Sequence, residues 1–267
     1  MNVFENKAII VTGASEGIGR ALCLALAPQR PFLALAARNT DRLQSLKQEV
    51  QNHGAKARVI PTDITQESDC RALVENTVAA FGGLDMLVNN AGGTMWTMFE
   101  EITDLSIFER LMRLNYLGAV YCTHHALPHL KARRGRIVAV SSVAGLTGVP
   151  TRTAYAASKH AMFGFFDSLR IELLDSGVSV TMAAPDFVLS EIHRRALGAD
   201  GKPIGQSPMR EDKIMTAEEC AAMILRAAAR RDRLVITSPR GKADRWMKLI
   251  APSMVDRIAA KAIRERK

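Results

Sequence analysis

At 267 residues and 48% hydrophobic composition, the chain is long enough to bury the core of one large α/β domain. Its net charge of +9 is confined to one end: residues 226–267 hold 13 basic and 4 acidic side chains and the remainder holds 23 of each, so a neutral body carries a basic extension and nucleic acid is not an expected partner. No apolar run reaches the length of about 18 residues that suggests a membrane span, the first strand-like segment begins at Ala8, and Cys23, Cys70, Cys122 and Cys220 are scattered without metal-ligand spacing, so the expectation is a soluble, cytoplasmic protein with reduced thiols and no metal.

In chain order, strand-like runs at Ala8–Thr12, Phe32–Ala37, Ala57–Pro61, Met86–Asn89, Ile137–Ser141, Ser179–Ala183 and Leu234–Thr237 alternate with helix-length segments. That rhythm predicts a single-domain, Rossmann-like, doubly wound parallel sheet of about seven strands with helices on both faces. It spans residues 1–240. A ligand of such a sheet lies beyond the carboxyl ends of its strands.

The first strand leads into a turn that holds Gly13, Ser15, Glu16, Gly17, Ile18 and Gly19, followed by a helical run from Arg20 to Ala27. Glycines there permit a tight turn and let backbone N–H groups approach a pyrophosphate at a helix N-terminus. The same residues spell the GxSxG elbow of serine hydrolases, Gly13 to Gly17, which opens an acyl-transfer alternative. Only fourteen residues precede Ser15, leaving little room for the strand-to-helix loop that supplies an elbow's oxyanion donor.

The second strand ends in Leu35-Ala36-Ala37-Arg38-Asn39, with no acidic side chain to accept the 2′-hydroxyl of NAD. Arg38 would pair with a 2′-phosphate, which favours NADP(H), although Glu16 lies near enough to oppose that phosphate. Farther along, Tyr155 and Lys159 share one face of a helix whose apolar pattern runs through Ala161, Phe165, Leu169 and Leu173. An ammonium beside a phenol favours the phenolate, so this spacing suits a tyrosine acting as acid or base. Ser142 ends the fifth strand-like run, Asn89-Asn90-Ala91-Gly92 ends the fourth, and Asn115 lies in a helix between them.

Taken together, TGxxxGIG at Thr12–Gly19, NNAG at Asn89–Gly92 and a serine thirteen residues before YxxxK resemble the short-chain dehydrogenase/reductase family over about residues 5 to 240. The resemblance implies hydride transfer between NADP(H) and a small-molecule carbonyl or secondary alcohol. It implies that Tyr155 is the general acid/base, that Ser142 polarises the carbonyl, and that Lys159 holds the nicotinamide ribose and tunes Tyr155. By the same resemblance Asn115 positions a water, and Asp63 with Ile64 contacts the adenine. Asn89, Ala91 and Gly92 line the cofactor cleft; Asp85 is structural. The family's Pro-Gly-x-Val-x-Thr appears as Pro185-Asp186-Phe187-Val188-Leu189-Ser190, so Pro185, Val188 and Ser190 keep contacts to the carboxamide end while Asp186 stands where a glycine is usual. If that position needs positive φ, aspartate is a tolerated substitute. A non-catalytic sensor or scaffold that binds NADP(H) is the alternative to turnover.

Residues 189–213, rich in Gly and Pro, read as an irregular loop or lid over the substrate, with Met95, Trp96, Met98, Val149 and Phe187 as an apolar lining suited to steroid-like or acyl-chain compounds. Met162, Phe163, Phe165, Phe166 and Leu169 give the Tyr155 helix more apolar surface than one sheet contact covers, and the family pairs this helix across a two-fold axis, so a homodimer or homotetramer is expected. From 241 to 267 the chain reads as a basic amphipathic extension. Pro252 starts a helix in which Val255, Ile258, Ala259, Ala262 and Ile263 form a stripe among Arg257, Lys261, Arg264, Arg266 and Lys267. That stripe either docks on protein or lies weakly on an anionic membrane surface.

Overall fold

The computed structural model describes residues 3–207 and 214–264. Seven strands among them form one parallel sheet: β1 (Ala8–Thr12), β2 (Phe32–Ala37), β3 (Lys56–Pro61), β4 (Met86–Asn89), β5 (Arg136–Val140), β6 (Ser179–Ala184) and β7 (Leu234–Ile236). Their spatial order is β3-β2-β1-β4-β5-β6-β7. The chain therefore fills one half of the sheet from β1 outward to β3, then crosses back to β4 and fills the other half. At that reversal the helices that follow β1 and β4 pass to opposite faces of the sheet and leave a crevice at the strands' carboxyl ends. This is the single-domain, Rossmann-like sheet expected from the sequence, with limits shifted by one residue at β3, β5, β6 and β7.

The inner strands are buried on both faces, whereas the edge strands β3 and β7 are partly exposed, and alternate residues serve opposite layers. Ile9 and Val11 of β1 and Met86 and Val88 of β4 face one layer; Ile10 and Leu87 face the other. The first layer is closed by α1 (Gly17–Leu26), α2 (Thr40–Asn52) and α7 (Ala217–Arg230), through Leu22, Leu46 and Ile224 among others. The second is closed by α3 (Glu67–Phe81), α5 (Gly118–Arg133) and α6 (Thr153–Glu172), through Leu73, Ala126 and Phe166. All four cysteines are buried and free; Cys23 and Cys220 belong to the first layer, Cys70 and Cys122 to the second. Asp85, just before β4, accepts from the N–H of Ala8 at 3.0 Å and from Lys7 Nζ at 3.2 Å, which stitches the amino ends of β1 and β4 together.

Much of the apolar surface of α6 is used within the chain. Met162, Phe166 and Leu169 are buried in the chain's own core, Phe163 and Phe165 pack against the same layer, and the Phe165 ring meets Tyr116 edge-on at 6.1 Å. Phe163, Phe165 and Tyr116 keep part of their surface exposed.

After β6, residues 189–207 run without regular structure and are pinned by single bridges of Leu197 to Met95 and to Pro203. The remainder of the expected lid, 208–213, lies outside the described residues. Beyond β7 come α8 (Pro239–Ile250) and α9 (Pro252–Arg264), which pack on each other as a helical hairpin. Helix α9 begins at Pro252 as its sequence predicts. The side chains of Ala262, Ile263, Arg264, Arg266 and Lys267 lie outside the described residues. Among the described residues no helix is long and apolar enough to cross a membrane.

Candidate active site

The turn after β1 is tied to the loop after β4 before either contacts a ligand. Thr12 Oγ1 accepts from the N–H groups of Asn90 at 3.0 Å and Ala91 at 3.1 Å, and the Asn90 amide donates to Thr12 O at 2.9 Å. This approach is why Gly13 has no side chain: with φ at +65°, a Cβ there would lie 2.8 Å from Ala91 Cα. Glu16 is the N-cap of α1 and makes no side-chain cap bond, so the first-turn amides are left for an anion. Gly13, Ser15, Glu16, Gly17 and Ile18 line a cleft of about 1240 Å³.

Two residues expected on that cleft do not reach it. Gly19 faces inward, where a Cβ would meet Gly13 O at 2.2 Å; its role is to let α1 close on the turn. Asn89 is 3% exposed, and its amide donates to Thr123 Oγ1 of α5 at 2.9 Å. The asparagine on the cleft is Asn90, which the NNAG pattern contained but did not single out.

Arg38, Asp63 and Ile64 line the end of the cleft beyond β2 and β3, and Ala91 and Gly92 line its middle. Asp63 holds its loop by accepting from the N–H and hydroxyl of Thr65 at 3.0 and 2.8 Å. Glu16, expected to oppose a phosphate here, is ion-paired with both Arg42 of α2 and Arg195 of the loop after β6. Its charge is therefore compensated, and Arg195 also lines the cleft. Neither arginine was singled out from sequence, since neither pairing is local.

At the other end, Ser142, Tyr155 and Lys159 converge with Pro185, Val188 and Ser190 on the same cleft. Ser142 follows β5, and its hydroxyl accepts from Ala144 N–H at 3.1 Å and donates to Pro185 O at 3.3 Å. Lys159 Nζ donates to Val140 O at 2.9 Å and lies 5.9 Å from the Tyr155 ring centroid. Asn115 sits in a π-helical turn, Arg113–Leu117, between α4 (Ser106–Met112) and α5. It is 1% exposed: Oδ1 accepts from Gly93 N–H at 2.8 Å, and Nδ2 donates to Gly93 O at 3.0 Å and Ser158 Oγ at 2.8 Å. Both amide hydrogens are committed, so Asn115 backs the Gly92–Gly93 wall instead of lining the cleft.

Burial dominates the electrostatics of the pair. It raises the Tyr155 pKa, with the Ser142 side chain and the Arg152 charge pulling the other way. Burial also lowers the Lys159 pKa from 10.5 to about 7. The spacing alone suggested that Lys159 would bring Tyr155 down; in the folded chain the nearby positive charge that does so is Arg152, whose guanidinium lies 5.7 Å from the Tyr155 ring and 4.5 Å from that of Trp96. Arg152 is buried on the cleft wall, and no motif pointed to it.

Asp186 does not occupy a left-handed backbone position, since the positive-φ residues other than glycine are Asn6, Arg30, Arg134, Thr151 and Arg231 among those described. Its carboxylate is instead held by Ser238 and Arg240, at the start of α8.

A glycine-lined helix N-terminus at the switch point, with a buried phenol and amine on the same cleft, defines a nucleotide-dependent oxidoreductase. The short chain dehydrogenase family model matches residues 7–199, and the chain belongs to the short-chain dehydrogenase/reductase family. It is 37% identical to an 11-beta-hydroxysteroid dehydrogenase of Pinus massoniana, over 86% of this chain and 67% of that protein. It is 33% identical to a dehydrogenase/reductase SDR family protein 7-like of Dictyostelium discoideum, over 95% of this chain and 80% of that one. Among solved structures, a Burkholderia phymatum family member in complex with NAD superposes with a TM-score of 0.84 at 24% identity, covering 95% of this chain and 96% of that chain. A Thermococcus sibiricus alcohol dehydrogenase complexed with 5-hydroxy-NADP gives 0.73 at 25% identity, over 86% and 95%. Family membership replaces the serine-hydrolase reading of Gly13–Gly17.

Proposed function

We propose that the chain reduces a carbonyl, or oxidises the corresponding secondary alcohol, with NADP(H), and that its substrate is a lipophilic compound of steroid-like or acyl-chain type. The observation that carries this reading is the convergence of Ser142, Tyr155 and Lys159 on the cleft lined by Gly13 and Gly17. Bound along that cleft, NADP(H) supplies or accepts the hydride. The α1 amides suit its pyrophosphate, Arg38 its 2′-phosphate, Asp63 and Ile64 its adenine, and Lys159 its nicotinamide ribose. Pairing of Glu16 with Arg42 and Arg195 removes the repulsion that would favour NAD. In reduction, Tyr155 gives its hydroxyl proton to the carbonyl oxygen, and Ser142 donates a hydrogen bond to the same atom as negative charge grows there. Holding the proton until that moment suits a phenol whose pKa burial keeps high.

The hydroxysteroid-dehydrogenase relatives and the apolar Trp96, Met98, Val149 and Phe187 on the cleft support a lipophilic substrate. The reading extends to a cytoplasmic homodimer or homotetramer that contacts anionic membrane surfaces weakly through α8 and α9. Purified protein mixed with NADPH or NADH and a panel of ketones of graded size, followed at the nicotinamide absorbance, tests the core of it. Turnover with NADPH exceeding that with NADH is expected. Binding of nucleotide without turnover in either direction would instead identify a sensor or scaffold.

A further inference from the structure

The C-terminal hairpin shares the cleft with the catalytic residues: Val255, Ile258 and Ala259 of α9 and Asp244 of α8 line the same cavity as Tyr155. Because α9 packs on α8, its position over the cleft depends on how α8 is fixed to the body. That anchorage is concentrated at Asp186. Arg240 grips its carboxylate with a two-pronged contact, NH2 to Oδ1 at 2.6 Å and Nε to Oδ2 at 3.2 Å, and Ser238 Oγ donates to Oδ2 at 2.7 Å. Ser238 also accepts from Gly241 N–H at 2.9 Å and so caps α8, while Asp186 N–H donates to Thr237 Oγ1 at 3.1 Å. Of the bonds that residue 186 makes, a glycine could form only the one from its N–H to Thr237. A second tether runs from Lys248 Nζ to Leu146 O at 3.1 Å, and the hairpin sits so close to the loop after Ser142 that a Cβ on Gly241 would lie 2.7 Å from Val143.

We infer that Asp186 and Arg240 form a positioning pair that holds the α8–α9 hairpin as the outer wall of the substrate end of the cleft, and that this wall selects large apolar carbonyl substrates. The inference rests on the proposed reductase activity for its substrate and on geometry alone for the anchor. Arg240 is more than half exposed, so the pair contributes little to overall stability and its consequence is positional. Its guanidinium also lies 5.3 Å from the Phe187 ring centroid, which fixes that aromatic against the cleft. With the hairpin held, Val255, Ile258 and Ala259 extend the apolar lining begun by Trp96 and Phe187. A small ketone would end before reaching them; a ring system or long acyl chain would be covered.

The test uses the full-length chain with Arg240→Ala, Asp186→Asn and the charge swap Asp186→Arg/Arg240→Asp. Hydrogen exchange of residues 239–264 reads the anchor independently of activity, and steady-state kinetics with NADPH compare a small cyclic ketone with a steroidal ketone. Both single variants should speed exchange in the hairpin and raise KM for the steroidal ketone about three- to tenfold, with kcat on the small ketone changed less than about twofold. The swap should recover part of both. Unchanged hairpin exchange in Arg240→Ala overturns the anchor, and an equal rise in KM for both ketones overturns the selection. If the wild-type protein reduces neither ketone while the exchange result holds, it is the proposed activity that fails, and the anchor stands.

Discussion

At Tyr155 and Lys159 burial penalises whichever form carries the charge, so it raises the phenol's pKa and lowers the amine's. Tyr155→Phe should lower turnover by about 100- to 10,000-fold while leaving NADPH affinity close to wild type, which steady-state kinetics beside a fluorescence titration would check. Lys159 yields a pH dependence. With its pKa near 7 in the folded chain, the amine is largely neutral above that value, and a ribose hydroxyl that accepts from Nζ favours the charged form. Nucleotide binding above pH 7 should therefore take up to one proton, and affinity should fall as pH rises; calorimetry in buffers of different ionisation enthalpy measures this, and Lys159→Met should abolish it. The stability sign is also fixed. Between about 7 and 10.5 the unfolded chain holds the proton that the folded chain has lost, so this group makes folding more favourable as pH rises through that window. Arg38→Asp should move coenzyme preference toward NAD, since it replaces a phosphate partner with a repulsive hydroxyl acceptor. The spacing of Ser142, Tyr155 and Lys159 is legible in the sequence because one helix and one strand end set it, whereas the reason for Asp186 is not, because its partner lies 54 residues downstream.

The inner strands, buried on both faces, stand out as short continuous apolar runs, and the edge strands β3 and β7, only partly buried, follow from the strand–helix alternation around them. The glycine turn was legible for the same local reason, but the division of labour within it was not: Gly13 yields to the β4 loop and Gly19 to Gly13 itself. Gly13→Ala combines an unfavourable φ with a backbone clash. It should lower the melting temperature and abolish the thermal shift produced by NADPH, where a change in stability alone would leave that shift in place. On helix α6 the sequence shows the apolar side chains but not all of their partners: Tyr116, which meets Phe165, comes from a π-helical turn that no sequence periodicity marks. Phe166→Ala, deep in this layer, should cost about 3–5 kcal/mol in chemical denaturation.

For the whole molecule, the asymmetry of charge acquires a location. Trp246, Leu249 and Ile250 are 63%, 72% and 80% exposed on α8, beside Arg245 and Lys248. Co-sedimentation should be greater with anionic than with neutral vesicles, should weaken with added salt, and should fall in a Trp246→Ser/Leu249→Ser variant. Equal recovery with both lipids would leave α8 and α9 with their cleft role only. Light scattering is expected to give a dimer or tetramer mass, and a monomer mass at micromolar concentration would refute the assembly.

The buried thiols turn the two layers of this sheet into separately readable compartments. Burial pushes the Cys23 pKa far up and that of Cys220 to about 12, while Cys122 is raised by the neighbouring Cys70 and by burial. A thiol reagent attacks the thiolate, so each site stays silent until its own layer opens. Mass spectrometry of a labelling time course would then date the opening of the α1–α7 side through Cys23 and Cys220, and of the α3–α5 side through Cys70 and Cys122. If the proposed nucleotide site at the N-terminus of α1 holds, saturation with NADPH should slow the first pair more than the second.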